Sequence, residues 1–290
     1  MYSADFDYYR ARSLADAQSL MAAHPGAKLL AGGHSLIPLL KFRLASPAAL
    51  VDIGRVDELR GITRKGDQVS IGALTTHAEL AASADLRTSA LALADAAAIV
   101  GDPAVRNRGT IGGNVAHADP ASDLPTVLLC LNASVIAVGP NGERTIPADG
   151  FFQGLMTTAL DDREILSRVL VPAARKGEAS AYAKFSHPAS RYAVIGVAAF
   201  IALADGKCSA ARVAIGGLLP APRLAAAVER ALVGRVLDDA AIANASAQVT
   251  SDIGNDAMGD IFASAEYRKA IAPVYVKRAV EAAAARAGRA

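Results

Sequence analysis

Leu29 to Leu40 reads "LLAGGHSLIPLL", and Arg108 to Pro125 reads "RGTIGGNVAHADPASDLP". Each holds two adjacent glycines beside small hydrogen-bonding side chains, between apolar runs that ordinarily need only a turn. Without a Cβ, and with positive φ open to them, consecutive glycines let several backbone N–H groups point into one concavity, which suits phosphate oxygens. Ser35, Thr110 and Asn114 add side-chain donors. Two such nests can clamp a pyrophosphate from both sides, so a dinucleotide is the expected ligand. No G-x-G-x-x-G opens a helix in a βαβ unit and no G-x-x-x-x-G-K-[ST] occurs, which argues against Rossmann and P-loop sites. Gly113→Val is expected to abolish binding by filling the nest and resisting positive φ, whereas Gly142→Ala, in a surface hairpin, is not.

Working outward from the first pair, Ser13 with Asp16 predicts the start of a helix over "LADAQSLMAAH", and Pro25-Gly26 stops it. The strand "AKLLAG" enters the glycines, and "ALVDIG" follows "LIPLLKFRL" as a second buried strand, giving a β-α-β-like unit. Before the second pair, the strand "QVSIGA" leads to the capping-box residues Thr76 and Glu79 and a helix over "HAELAAS". An Ala-rich helix over "LRTSALALADAAAIVG" then runs to Gly101. A helix over "SDLPTVLLCLN", the strand "ASVIAVG", a turn at Pro140-Asn141-Gly142 and the strand "EILSRVLVP" complete this region. Strands and helices mix without strict alternation, which favours an α+β fold over a doubly wound sheet.

"PAARKGEAS", Pro172 to Ser180, reads as a linker, with a boundary near Lys176. Three strands come next, "AYAKFSH", "YAVIGVAAFIAL" and "CSAARVAIGGL", with Asp205-Gly206 as the hairpin turn between the last two. Helices over "RLAAAVERALVG", "DAAIANASAQVT" and "SAEYRKAIAPVYVKRAVEAAAARAG" fill the remainder.

The chain has 290 residues, 52% hydrophobic and 20% charged, enough for two or three compact units of ordinary globular type. Thirty basic against 28 acidic residues leave a formal charge of +2, no field for nucleic acid or an anionic membrane. Only Cys130 and Cys208 are present, without ligand spacing, whereas an iron–sulfur cluster takes about four thiolates. Any such cluster is expected on another chain. His24, His77, His117 and His187 show no metal-ligand spacing either. The opening "MYSADFDYYRARSL" lacks the apolar core of a secretory signal, and "YAVIGVAAFIALA" is short of the roughly 20 residues that span a bilayer. A reducing, cytoplasmic setting without a transmembrane segment is expected, any membrane association being through partners.

"AGGHS" and "TIGGN" resemble the two flavin motifs of the FAD-binding medium subunit of the molybdenum hydroxylases, the family of carbon monoxide dehydrogenase and xanthine dehydrogenase. The resemblance continues through "HADPASDLP", "EILSRVLVP", "KFSHPASRYAVIGVAA" and "SAEYRKAIAPVYVKRAV", in order over nearly the whole chain. It implies a two-lobed FAD-binding domain of PCMH or vanillyl-alcohol-oxidase type over 1–176, with lobes of about 1–56 and 57–176. A small antiparallel sheet with helices over 177–290 would complete the chain.

The same resemblance implies noncovalent FAD held by two segments: Leu29, Leu30, Ala31, Gly32, Gly33, His34, Ser35 and Leu36 in the first, and Thr110, Ile111, Gly112, Gly113 and Asn114 in the second. Asp123 would meet the adenosine ribose, Val100 and Leu166 would line the cofactor, and Lys184 and Tyr192 would sit near the flavin rings. It assigns no catalytic residue to this chain. The implied partners are a large molybdopterin subunit and a small subunit with 2Fe–2S clusters, paired as a dimer of heterotrimers, with FAD passing electrons to an external acceptor.

"GGHS" also resembles FAD-linked oxidases of the berberine-bridge type, in which the histidine, here His34, is joined covalently to the flavin. Those carry an arginine shortly before the glycines, where this chain has Leu29, Leu30 and Ala31, and they need a large substrate domain. The chain beyond Lys176 is Ala-rich and without a polar cluster. A non-catalytic nucleotide-binding assembly subunit is the third reading; it would be colourless, whereas a flavoprotein absorbs near ~450 nm.

Overall fold

The computed structural model describes residues 2–288. The first lobe runs β1 (Asp7–Arg10), α1 (Leu14–Ala23), β2 (Lys28–Leu30), α2 (Leu36–Lys41) and β3 (Ala49–Asp52). Its strands form a parallel sheet in the order β1-β3-β2. Ser13 starts α1 by accepting the Asp16 N–H at 3.0 Å, and the Asp16 carboxylate accepts the Arg12 N–H at 2.8 Å. After the helix, Gly26 turns the chain at φ +81. Only β3 is buried along its length, which is why β1, mostly exposed, gives no apolar run to read.

The second lobe begins with β4 (Ile62–Lys65) and β5 (Gln68–Gly72). Six helices come after them: α3 (His77–Ala82), α4 (Ala84–Ser89), α5 (Leu91–Ala98), α6 (Pro103–Arg106), α7 (Ile111–His117) and α8 (Asp123–Cys130). Then come β6 (Ser134–Gly139), β7 (Gly142–Pro147), the small hairpin β8 (Phe152–Gly154) and β9 (Thr157–Thr158), and β10 (Ile165–Pro172). Five strands form an antiparallel sheet in the order β4-β5-β10-β6-β7. Thr76 and Glu79 form the reciprocal capping box of α3. Thr76→Ala removes one half of it and should lower stability by about 1 kcal/mol, read as a shifted urea midpoint at unchanged slope.

The Ala-rich segment is not one helix. It breaks at Ala90 (φ −151, ψ 56) into α4 and α5. Two contacts from residues remote in sequence hold the break: the Ala174 N–H donates to the Ser89 carbonyl at 2.7 Å, and Ser180 Oγ accepts the Ala92 N–H at 3.1 Å. Tertiary partners thus claim backbone groups that helical propensity alone would pair locally.

The C-terminal part has β11 (Glu178–Ser186), β12 (Ala193–Ala204), β13 (Lys207–Gly216) and β14 (Arg223–Leu224), an antiparallel sheet in chain order. It is followed by α9 (Ala226–Leu232), α10 (Asp239–Ala247), α11 (Val249–Ile253) and α12 (Ala265–Ala287). Asp205 and Gly206 both take positive φ, 51 and 74, as a two-residue hairpin requires. Ile195, Val197, Ala199 and Ile201 pack in one core with α12, while Ala198 belongs to the core of the second lobe. With both faces covered, β12 reads as one continuous apolar run. Arg223 and Leu224, expected to open a helix, instead pair with β13, and α9 starts two residues later. Among the described residues no helix is long and apolar enough to cross a membrane.

Candidate functional site

The two glycine segments meet. A Cβ on Gly32 would run into the backbone carbonyl of Arg108, so the segments touch at a distance only glycine permits. Gly33 turns the chain at φ +75 into α2. Among the described residues, the N–H groups of Ala31, Gly32, Gly33, His34, Ser35 and Leu36 donate to no acceptor in the chain. All but His34 are partly shielded from solvent. Six successive donors without partners call for an acceptor from outside the chain, since shielded N–H groups in native proteins are nearly always paired.

The second segment is built differently. "TIGGN" is not a loop: Thr110 caps α7, and both glycines lie in its first turn without positive φ. Four of its five N–H groups are already used, Ile111 and Gly112 on the Thr75 and Ala73 carbonyls at 3.0 and 2.8 Å, Gly113 on Thr110 Oγ1 at 3.2 Å and Asn114 on the Thr110 carbonyl at 3.0 Å. Gly112 and Gly113 thus supply closeness and room rather than donors. The side-chain donor this segment offers is the Asn114 amide, whose Oδ1 accepts from the Ser122 hydroxyl at 2.7 Å, leaving its nitrogen for a ligand.

Between the segments opens a cavity of about 600 Å³, within the range of pockets that hold small molecules and cofactors. Of the residues expected from the sequence, Leu29, Ala31, Gly32, Gly33, His34, Ser35, Leu36, Val100, Thr110, Gly112, Gly113, Asn114, Asp123, Leu166 and Tyr192 line it. Leu30, Ile111 and Lys184 do not. Ile111 is fully buried behind the wall. Lys184, its side chain only 1% exposed, lies against Asp123 and donates to Oδ2 at 2.9 Å and to the Ile99 carbonyl at 3.3 Å. The hydroxyl of Tyr182 donates to Asp123 Oδ1 at 2.6 Å. Burial pushes the Asp123 carboxyl up, against the pull of Lys184 and Tyr182.

Tyr192, 42% exposed, stands at the cavity mouth. Burial of its hydroxyl, and then Asp119 and Asp123, raise its pKa. Sequence reasoning missed His77, Ser122 and the β8–β9 hairpin residues Met156 and Thr158, all of which line the cavity. Burial, then His34 and Arg106, lower the His77 imidazole to about 4, so it is neutral at pH 7.

These features define a binding site for a phosphate-bearing cofactor of dinucleotide size. Residues 4–174 match the model of the FAD binding domain in molybdopterin dehydrogenase, and residues 180–283 that of the CO dehydrogenase flavoprotein C-terminal domain. The chain belongs to the medium, FAD-binding subunits of the molybdenum hydroxylases. It is 38% identical over 284 residues to the carbon monoxide dehydrogenase medium chain of Hydrogenophaga pseudoflava, covering 97% of this chain and 98% of that one. It is 40% identical over 288 residues to the 6-hydroxypseudooxynicotine dehydrogenase complex subunit alpha of Paenarthrobacter nicotinovorans, covering 97% of this chain and 95% of that one. The solved carbon monoxide dehydrogenase of Hydrogenophaga pseudoflava superposes with a TM-score of 0.94 at 40% identity, over 99% of both chains. Quinoline 2-oxidoreductase from Pseudomonas putida 86 gives 0.93 at 32%, again over 99% of both.

Proposed function

We propose that this chain binds FAD noncovalently and, as one subunit of a molybdopterin-dependent hydroxylase, passes electrons from the two-iron clusters of a small partner subunit to an external acceptor. A large molybdopterin subunit oxidises the substrate, and two such heterotrimers pair in the cytoplasm. The observation that carries the reading is the run of six N–H groups over Ala31 to Leu36 that donate to nothing in the chain, facing a cofactor-sized cavity. When bound, FAD supplies the exchange between one-electron and two-electron chemistry.

The chain's own work is to bind, orient and shield. The amides of the first segment and the Asn114 amide nitrogen hold the pyrophosphate. Asp123, with one lone pair left on each oxygen, accepts from the adenosine ribose. Val100 and Leu166 supply apolar wall, and the Tyr192 ring covers the mouth. Lys184 acts from behind Asp123, its ammonium balancing the carboxylate. The seam between the two units falls at Lys176.

His34 is exposed, with Nδ1 3.1 Å from the Gly32 carbonyl. Acid denaturation of the yellow protein, followed by filtration, should release all flavin into the filtrate. Flavin retained on the polypeptide at His34 would instead mark the covalent oxidase class, and a colourless native chain would favour the assembly role.

A further inference from the structure

Asp123 is 4% exposed and is held entirely from the other unit of the chain: Tyr182 and Lys184, two residues apart on one face of β11, take one carboxylate oxygen each. A phenylalanine would fill the same space as Tyr182, so the hydroxyl needs its own explanation. The neighbouring strand has made room for it. Gly196 interrupts the apolar run of β12, where glycine weakens a strand, and any Cβ there would run into the Tyr182 hydroxyl oxygen. Its register partner on β13, Gly216, clears a similar space for Thr126 of α8. The paired glycines let the start of α8, which carries Asp123, settle against the sheet.

We infer, on the FAD reading above, that Tyr182 is a positioning residue of the cofactor site: its hydroxyl fixes the Asp123 carboxylate in the orientation and ionised state that receive hydroxyl groups of the bound dinucleotide. The C-terminal unit, which carries none of the glycine segments, thereby sets the affinity of the site. Lys184 supplies charge to one carboxylate oxygen; Tyr182 fixes the other and so sets the plane of the group. The unused lone pairs then face the cavity in one arrangement.

The sign of the pH effect is set by the groups around Asp123. Lys184 and Tyr182 both favour its ionised form. Tyr192, which lines the cavity, feels the charges of Asp119 and Asp123. Of the other elements packed on α8, β12 carries no titratable group and α7 carries His117. On α5, Asp95 is tied to Arg286; on β13, Arg212 holds the carbonyls at the far end of α8; on β14, Arg223 is tied to Asp256. Removing the Tyr182 hydroxyl leaves Lys184 alone to oppose burial, so the carboxyl takes up its proton at a higher pH.

The experiment is a titration of the flavin-freed full chain with FAD, followed by quenching of flavin fluorescence, from neutral to acidic pH. It is run on wild type, Tyr182→Phe and Gly196→Ala, with unfolding midpoints measured alongside. Tyr182→Phe should bind roughly tenfold more weakly at neutral pH, the scale of one hydrogen bond to a charged group. Its loss of binding on acidification should begin at higher pH than in wild type, and Gly196→Ala, which crowds the same hydroxyl, should shift in the same direction. Unchanged affinity in Tyr182→Phe beside a wild type that binds FAD overturns the positioning role and leaves the FAD reading standing. Weaker binding with an unmoved acid limb also overturns it, because lost packing alone would do that. A wild-type chain that binds no FAD overturns both.

Discussion

Gly32→Ala is expected to yield a folded chain that purifies without flavin and fails to take it up, with FAD affinity reduced by on the order of 100-fold or more. The added methyl would meet the Arg108 carbonyl, which belongs to backbone and cannot rotate aside. The two segments must then separate, and the amides of Ala31 to Leu36 turn away from a shared ligand. Losing two charge-assisted bonds at about 1.5–3 kcal/mol each accounts for the magnitude. Gly113→Val should also empty the site, but for a different reason than positive φ, which Gly113 does not have. Its N–H stays with Thr110, and its side chain intrudes beside Thr110 Oγ1 at 3.0 Å and Ala31 Cβ at 3.8 Å, filling space that the ligand needs. Gly142→Ala is the control: its φ of +98 costs stability, yet nothing lies within 4 Å of the new methyl and Gly142 does not line the cavity. Flavin occupancy is read from the visible spectrum and folding from circular dichroism. Equal occupancy in Gly32→Ala and Gly142→Ala would show that the glycine segments do not form the pyrophosphate site.

How much the sequence disclosed depends on how local each signal is. The β12–β13 hairpin was legible because Asp205-Gly206 states its turn type within two residues, and α3 because Thr76 and Glu79 state its start within four. The break at Ala90 was not, since it is enforced by Ala174 and Ser180, remote in sequence, and an alanine-rich run gives no local reason to stop. The same contrast divides the site. "AGGHS" and "TIGGN" are conspicuous because glycine pairs are; that one segment keeps its donors while the other spends most of its own on Ala73, Thr75 and Thr110 depends on a tertiary contact. Tyr182 carried only a weak signal: its spacing of two from Lys184 puts both on one face of a strand. Asp123 as their common partner lies 59 and 61 residues away, beyond any periodicity.

The isolated chain, even fully loaded with FAD, is expected to show no substrate-dependent reduction of a dye acceptor, and to gain it only when purified with its large and small partner subunits. The chain's inventory of reactive groups decides this. Cys130 and Cys208 are both buried; burial pushes the Cys130 thiol up to about 12, and Cys208 upward too, so neither is a nucleophile at neutral pH. Asp123 is committed to Lys184 and Tyr182, and His77 is a neutral, buried imidazole with Nδ1 unpaired among the described residues. Of these groups only Asp123 and His77 line the cavity, and the two do not make up an acid, a base and a nucleophile around a second molecule. On the electron-relay reading proposed above, electrons arrive from a donor on a partner subunit. The test is to express the chain alone and together with its genomic neighbours, and to challenge each preparation with heterocyclic, aldehyde and carbon monoxide substrates and a dye. Activity confined to the co-purified complex agrees with an electron-relay subunit. Robust turnover by the lone chain would mean that a substrate reacts directly at its own cavity, and would move the protein to the oxidase class.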